Sequence, residues 1–277
     1  MKKRQKVILY SFLTLFSLVM FYPFLHMLSA TFKSNEEIFS GIGLIPNEFS
    51  FSGFINGWAG MGDNTFGVFL MNSFKLVIPT VIFTIISSVV VAYGFARFNF
   101  PLKKLLFTIM LATLMLPQAV VIVPRYLLFN KLGWLDTYLP FYMPAIFATF
   151  PFFTYMLIQF IRGIPKELDE AATLDGCNSF TILTRIHLPL LKPAMFSVGI
   201  FQFIWVWNDF FNPLIYINSV DKYPLALGLR LFMDAEGSIV WNEVMAMSIV
   251  TIIPCVLLFF FAQRYFVEGI SSSGLKG

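Results

Sequence analysis

The chain of 277 residues is strongly apolar: 58% of its residues are hydrophobic, 12% are charged, and its net charge is +4. A soluble domain carries about a quarter of charged residues, so this composition excludes an ordinary soluble globular protein. The two cysteines, Cys177 and Cys255, provide no disulfide framework.

Six apolar runs, each long enough for a bilayer-spanning helix of about 20 residues, predict an all-α membrane protein. The runs are 7–31, 68–96, 104–128, 138–161, 194–217 and 241–266. The first run is too long for a secretory signal peptide and lacks a small-residue cleavage site after it. We interpret residues 1–277 as a single transmembrane domain.

An even number of spans places both termini on one side of the membrane. With the termini in the cytosol, 13 of the 19 Lys and Arg residues lie inside and six lie outside, which is the asymmetry of the positive-inside rule. On this topology the segments 32–67 and 218–240 are long outer segments, and they are candidates for contacts on the outer side.

Proline residues interrupt the third and fourth predicted spans. They are Pro117, Pro124, Pro140, Pro144 and Pro151. A proline inside a span leaves a carbonyl that neighbouring protein or water must satisfy, so broken helices tend to face protein or a cavity. A packing kink explains any single one equally well, but five in adjacent spans favour the wall of a pathway.

The segment between the fourth and fifth spans, residues 162–193, is predicted to be cytosolic and reads RGIPKELDEAATLDGCNSFTILTRIHLPLLKP. Pro165 suits the first turn of a helix. Glu167, Asp169 and Glu170 place negative charge near the N-terminus of that helix, where the helix dipole favours it. We call this segment the 162–193 loop.

The same loop predicts a rigid helical hairpin. The small side chains of Ala171 and Ala172 leave a low surface that another protein can approach closely. Gly176 is expected at the helix end with a positive φ. Residues 178–187 then form a second helix, which Pro189 is expected to end.

The loop resembles the coupling motif of permease subunits in binding-protein-dependent ABC importers, E-A-A, three residues, G, nine residues, I-x-L-P. The matching positions are Glu170, Ala171, Ala172, Gly176, Ile186, Leu188 and Pro189. A chance match in an interfacial hairpin does not account for seven positions over 20 residues. The similarity covers nearly the whole chain and is greatest for carbohydrate permeases, in particular the smaller six-span permease of maltose and multiple-sugar systems.

This resemblance implies several partners in a bacterial inner membrane. They are a second, different permease, two ATP-binding subunits, an extracytoplasmic sugar-binding protein, membrane lipid and a carbohydrate, with no nucleic acid. An oligosaccharide of the α-galactoside or α-glucoside type fits the family; a glycerol phosphate or a monosaccharide stays open.

The resemblance also assigns roles within the 162–193 loop. Glu170 is implied in docking to the ATP-binding subunit and Gly176 in shaping the hairpin, while Asp175 is either a helix-end or partner contact or a solvated side chain. The sequence lacks a G-x-x-x-x-G-K-[ST] phosphate loop and an H-E-x-x-H zinc motif. We therefore expect a transport subunit rather than an enzyme, with no metal or cofactor of its own and with ATP and Mg²⁺ on the partner ATPase.

A polar and aromatic cluster in the fifth predicted span, WVWNDFFNPLIY, is a candidate for the substrate pathway. Its members are Trp205, Trp207, Asn208, Asp209, Asn212 and Tyr216. Aromatic stacking with amide and carboxylate hydrogen bonds would suit a sugar, and polar groups at membrane depth are costly unless they face protein or water. Hydrogen bonding between helices and an interfacial aromatic belt remain an alternative.

Two other protein classes agree less well with the sequence. An ion-coupled secondary transporter would bury several ionisable residues at mid-membrane and carry internal repeats, whereas Asp209 is the only clear intramembrane carboxylate and no repeat relates the two halves of the sequence. A membrane-embedded enzyme would need a catalytic dyad or a metal cluster, and His187 has no second ligand at metal spacing. Neither class explains the 162–193 loop.

Overall fold

The computed structural model describes residues 3–41, 43–60, 63–234 and 239–274, and its regular elements are helical. The first helices are α1 (Lys3–Ala30), α2 (Asn35–Ser40), α3 (Ser52–Ala59), α4 (Phe66–Arg97), α5 (Lys103–Thr113), α6 (Gln118–Lys131) and α7 (Leu139–Ile146). They are followed by α8 (Pro151–Arg162), α9 (Glu167–Leu174), α10 (Ser179–Ile182), a π-helical turn (Leu183–His187), α11 (Leu188–Trp207), α12 (Phe211–Tyr216), a 3₁₀ turn (Val220–Lys222), α13 (Leu225–Asp234) and α14 (Trp241–Gly274).

Five helical segments of the described chain are long and apolar enough to cross a membrane, and the bent pair α5 and α6 makes a sixth if it is one span. The five segments are Lys3–Ala30, Phe66–Arg97, Leu139–Arg162, Ser179–Trp207 and Trp241–Ala262. The predicted all-α fold with about six spans is thus confirmed. The predicted bounds of the fifth span, 194–217, are wrong, because that helical segment begins before Pro193 and ends at Trp207.

The proline residues break the third and fourth spans at two of the predicted places. The axes of α5 and α6 differ by 105°, and Pro117, in an extended conformation, directly precedes α6. Proline has no N–H to continue the helical hydrogen bonds and keeps the residue before it out of the helical region. Pro151 likewise occupies the first turn of α8, after Ala148 with φ 54°, whereas Pro124 lies inside α6.

The chain forms two compact units. The first comprises Met1–Leu70 and Leu227–Pro254, and the second comprises Met71–Ala226 and Cys255–Gly277. Because the unit boundaries fall within α4, α13 and α14, the prediction of one domain stays a prediction.

In the first unit, the segments that connect the long helices are tied together by polar side chains. The amide of Asn35 donates to the Ile239 carbonyl at 2.8 Å and its oxygen accepts from the Trp241 N–H at 2.7 Å, at the start of α14. A Cβ on Gly53 would lie 2.7 Å from the Thr31 carbonyl oxygen. The two predicted outer segments therefore bond to each other.

The second unit contains a large cluster of buried side chains. The cluster joins the end of α4 to α8, α11 and the 162–193 loop, and includes Tyr93, Phe153, Ile161, Ala172 and Leu191. Because both ends of the 162–193 loop and its middle contribute to one core, the loop is held firmly against the ends of three helices.

Another contact in the second unit joins the loop after α6 to the loop after α12. The Asp136 carboxylate accepts from Lys222 Nζ at 2.6 Å, from the Ser219 hydroxyl at 2.6 Å and from the N–H groups of Asn218 and Ser219 at 3.0 and 2.8 Å. The hydrogen bonds from Lys222 and Ser219 hold the pKa of Asp136 well below its ordinary value.

Candidate functional site

The 162–193 loop folds as a helical hairpin with a glycine turn. Gly176 has φ 81°, its N–H donates to the Thr173 carbonyl at 3.0 Å, and the Cys177 N–H donates to the Ala172 carbonyl at 2.9 Å. This pair of bonds is the Schellman motif, which satisfies the last carbonyls of a helix and favours glycine at the left-handed position. The predicted conformation of Gly176 is confirmed.

The second arm of the hairpin begins at Asn178, whose side-chain oxygen accepts from the Thr181 N–H at 2.8 Å. The prediction that Pro189 ends this arm is wrong, because the π-helical turn Leu183–His187 joins α10 to α11 without a break. A proline ring clashes with the carbonyl four residues earlier, here that of Arg185. The wider π turn directly before Pro189 relieves that clash, so the hairpin continues as one helical segment into the fifth span.

The motif residues divide between the surface and the core. Exposed positions are Glu170, Ala171, Asp175, Gly176 and Pro189. Ala172 is buried in the core of the second unit, so its small side chain serves packing within the chain, and Ile186 and Leu188 are half-buried. Two large apolar side chains beside the turn are highly exposed, Leu174 at 89% and Phe180 at 73%. The end of the hairpin therefore presents acidic and apolar groups together.

A charged network that the sequence did not reveal holds α9 in place. The two carboxylate oxygens of Asp169 lie 2.6 Å from Arg97 Nε and 2.6 Å from His187 Nε2. The Arg97 side chain also donates from Nη2 to the Ile164 carbonyl at 2.8 Å. The side chains of Arg97 and His187 are almost entirely buried, at 6% and 0% exposed. One carboxylate thus connects the end of α4 with the base of the fifth span.

Sequence reasoning noted each member of this network for another reason. Asp169 is one of three acids in the first turn of α9 and His187 is a histidine without a second metal ligand, while Arg97 is one of the 13 Lys and Arg residues counted on the inner side. A signal was present, because an acid just before the E-A-A triplet and a cation at a helix end are opposite charges near one membrane boundary. Their pairing depends on the tertiary approach of α4 to α9.

The candidate pathway cluster does not lie on one continuous helix. α11 ends at Trp207 and α12 begins at Phe211. Between them, the Asp209 carboxylate accepts from the backbone N–H of Asn212 at 3.1 Å and from its side-chain amide at 2.7 Å. The amide of Asn208 donates to the Ile204 carbonyl at 2.8 Å. The polar members of the cluster therefore bond at the helix ends on either side of this break.

The aromatic members of the cluster lie in different surroundings. Trp207 is 3% exposed and Tyr216 is 2% exposed, and Tyr216 packs edge-on against Phe129 at 5.3 Å between ring centres. Trp205 is 49% exposed and lies 4.9 Å from the Phe153 ring. Trp205 is therefore the aromatic ring of the cluster that presents a face outside this chain, and a role in the pathway stays a prediction.

A polar depression of about 710 Å³ lies in the first unit, between the start of α2 and the start of α14. Its lining includes Lys33, Glu36, Glu37, Glu48 and Asn242. Lys33 is 3% exposed, and its ammonium group donates to the Gly43 carbonyl. The depression gives the segment 32–67 an acidic and amide-rich surface, which Val240 and Asn242 complete at the start of α14.

Similar proteins cover the whole chain. Residues 88–272 match the family described as "Binding-protein-dependent transport system inner membrane component". An arabinooligosaccharides transport system permease protein of Halalkalibacterium halodurans is 34% identical over 100% of both chains. A trehalose/maltose transport system permease protein of Thermococcus litoralis is 30% identical over 95% of this chain and 94% of its own length.

A solved structure shares the fold. A chain of a bacterial ABC transporter involved in the import of the acidic polysaccharide alginate has a TM-score of 0.84 and 22% identity, and the match covers 95% of this chain and 97% of that chain. The resemblance expected from the 162–193 loop is confirmed, and the family description makes the protein a transport component rather than an enzyme. The chain belongs to the family of binding-protein-dependent transport system inner membrane components, the multi-pass permease subunits of ABC importers.

Proposed function

We propose that this chain is one of two different permease subunits of an ATP-driven importer for an oligosaccharide. Similarity over the full length to permeases named for arabinooligosaccharides and for trehalose/maltose carries this proposal. Within that class we favour an α-galactoside or an α-glucoside as the cargo. An ion-coupled transporter is not favoured, since the family match covers residues 88–272.

In the proposed topology both termini and the 162–193 loop are cytosolic. The exposed end of the hairpin, with Glu170, Leu174 and Phe180, then docks on an ATP-binding subunit that supplies ATP and Mg²⁺. Acidic groups beside exposed apolar side chains suit a protein groove with an apolar floor and a basic rim. Exposure of both Leu174, at 89%, and Phe180, at 73%, beside the same turn supports this role, because grouped exposed apolar side chains mark interaction sites.

On the outer side, the polar depression between α2 and α14 is the proposed contact surface for a sugar-binding protein. A chain of another solved bacterial alginate ABC transporter structure matches this chain with a TM-score of 0.67 and 17% identity. In that structure the transporter is in complex with a periplasmic protein that is bound to an alginate pentasaccharide. The carboxylates and amides that line the depression offer acceptors and donors to a polar partner surface.

Purification of the tagged chain from its native membrane tests the proposal. We expect a second permease and two copies of an ATP-binding subunit in the purified complex by mass spectrometry. Its ATPase activity should rise when the binding protein is loaded with one member of a panel of α-galactosides, α-glucosides and arabinooligosaccharides. Recovery of the chain alone, or ATPase activity that the binding protein stimulates with none of these sugars, would refute the proposal.

The docking role of Glu170 has a separate test. Glu170→Gln keeps the size of the side chain but removes the charge, so we expect less ATP-binding subunit to copurify and a lower rate of uptake. Glu167→Gln, an exposed acid on the same helix outside the motif, is the matched control and should behave as the wild type. Equal copurification for both variants would contradict a role for the Glu170 charge.

A further inference from the structure

The Asp169 network contacts the end of α4, a helix that is not adjacent in the sequence to the 162–193 loop. α8 leads directly into the loop and α11 leads directly out of it, so any displacement of the hairpin reaches both through the backbone. α4 is different, because Arg97 precedes Asp169 by more than 70 residues. A displacement of α9 can therefore be transmitted directly to α4 only through contacts made by side chains.

Those contacts reach successive parts of the hairpin from one helix end. Arg97 contacts the Ile164 carbonyl before α9 and the Asp169 carboxylate within it. Tyr93, one turn earlier on α4, donates to the Ser179 carbonyl at 3.4 Å and packs against the His187 ring at 5.1 Å. The end of α4 therefore contacts the hairpin before α9, within α9 and after the Gly176 turn.

We propose that Asp169 is a positioning residue that makes α4 move with the hairpin when an ATP-binding subunit displaces α9. This inference rests on the proposed function, since it assumes that the hairpin docks on such a subunit. One carboxylate oxygen of Asp169 contacts Arg97 at the end of α4, and the other contacts His187, which directly precedes α11. α9, α4 and the fifth span therefore meet at a single carboxylate.

The buried charges of this contact suit the transmission of a displacement from α9 to α4 better than a purely stabilising role. Taking charged groups out of water is costly, and a buried ion pair is often no more stable than apolar packing of the same volume. Tyr93, which packs against His187, already belongs to an apolar core that includes Ile161, Ala172 and Leu183. What the charges add is one defined geometry, because an Asp169 displaced from Arg97 leaves a buried cation without its partner.

The test compares coupling with assembly in the complete importer, reconstituted in liposomes with its sugar-loaded binding protein. For Asp169→Asn we expect the sugar imported per ATP hydrolysed to fall at least about fivefold, the lower end of typical coupling factors, while the ATP-binding subunit still copurifies. Glu167→Gln is the matched control, since it removes one negative charge from the same helix, and it should keep the wild-type ratio.

Two variants of Arg97 separate transmission from a structural role. The double variant Arg97→Gln with Asp169→Asn should uncouple by less than the two single variants combined, because both changes remove the Arg97–Asp169 contact. Arg97→Lys keeps the charge but not the two-pronged geometry, so it should give an intermediate ratio. Arg97→Lys also provides a test if the Asp169→Asn variant fails to assemble. In that case, a wild-type ratio of sugar imported to ATP hydrolysed in Arg97→Lys overturns the inference.

Failure of this inference is distinguishable from failure of the proposed function. If the wild type shows no ATP-driven uptake, the proposed function is wrong. If the wild type imports sugar and Asp169→Asn loses copurifying subunits while its ratio stays normal, the network is only structural and the inference is wrong.

Discussion

Replacing Gly176 by valine tests whether the glycine turn is what shapes the hairpin. At φ 81° an L-residue is in the left-handed region, which costs about 1–2 kcal/mol and more for a β-branched side chain. Apart from the two neighbouring residues, no atom lies within 4 Å of the position that a Cβ would take, so the penalty for adding the Cβ comes from the backbone. Since about 1.4 kcal/mol is a factor of ten, the native turn should be populated about tenfold less.

Gly176→Asn is the matched control, because asparagine tolerates the left-handed region far better than valine. The assay is uptake per ATP hydrolysed in liposomes, with copurification of the ATP-binding subunit measured in parallel. We expect the valine variant to assemble in part and to lose coupling, and the asparagine variant to stay close to the wild type. Normal coupled uptake by the valine variant would refute the reasoning, as would equal losses in both variants.

Two further predictions concern stability. A Cβ on Gly228 would lie 2.4 Å from Cδ2 of the buried Phe69 ring, so Gly228→Ala should destabilise the folded protein by about 1–3 kcal/mol through overpacking. The control is Gly94→Ala, whose added Cβ has nothing within 4 Å and which should stabilise the folded protein by about 0.5–1 kcal/mol. Thermal unfolding of the purified complex measures both, and shifts of the same sign would contradict the packing argument. The lowered pKa of Asp136 means that its pairing with Lys222 contributes stability above the unfolded-state value of about 3.9 and loses it as pH falls toward the folded-state pKa. The difference in unfolding temperature between the wild type and Asp136→Asn should therefore shrink below about pH 4, and a constant difference would contradict this assignment.

Local features of the 162–193 loop could be predicted because their causes lie within a few residues. The acids of the first turn, the glycine that accepts a positive φ and the asparagine cap each act on the backbone beside them. The break at Pro117 was predictable for the same reason, since proline removes its own N–H. Pro189 shows the limit of this reasoning, because the π turn before it lets the helix continue.

Pairings between distant segments could not be predicted in this way. Nothing local indicates that Ala172 is buried while its neighbour Ala171 is exposed, or that Asp136 pairs with Lys222. These outcomes depend on which helix packs against which, and many arrangements of the same apolar spans bury similar areas.

The sequence by itself determined the class of the protein, its about six apolar spans and its family, because apolar length and a motif of fixed spacing are properties of short stretches of chain. Only the tertiary structure decided that one carboxylate, Asp169, joins Arg97 to His187. Charges pair according to distance in space, and that distance is set when α4, α9 and the start of the fifth span pack around a common core.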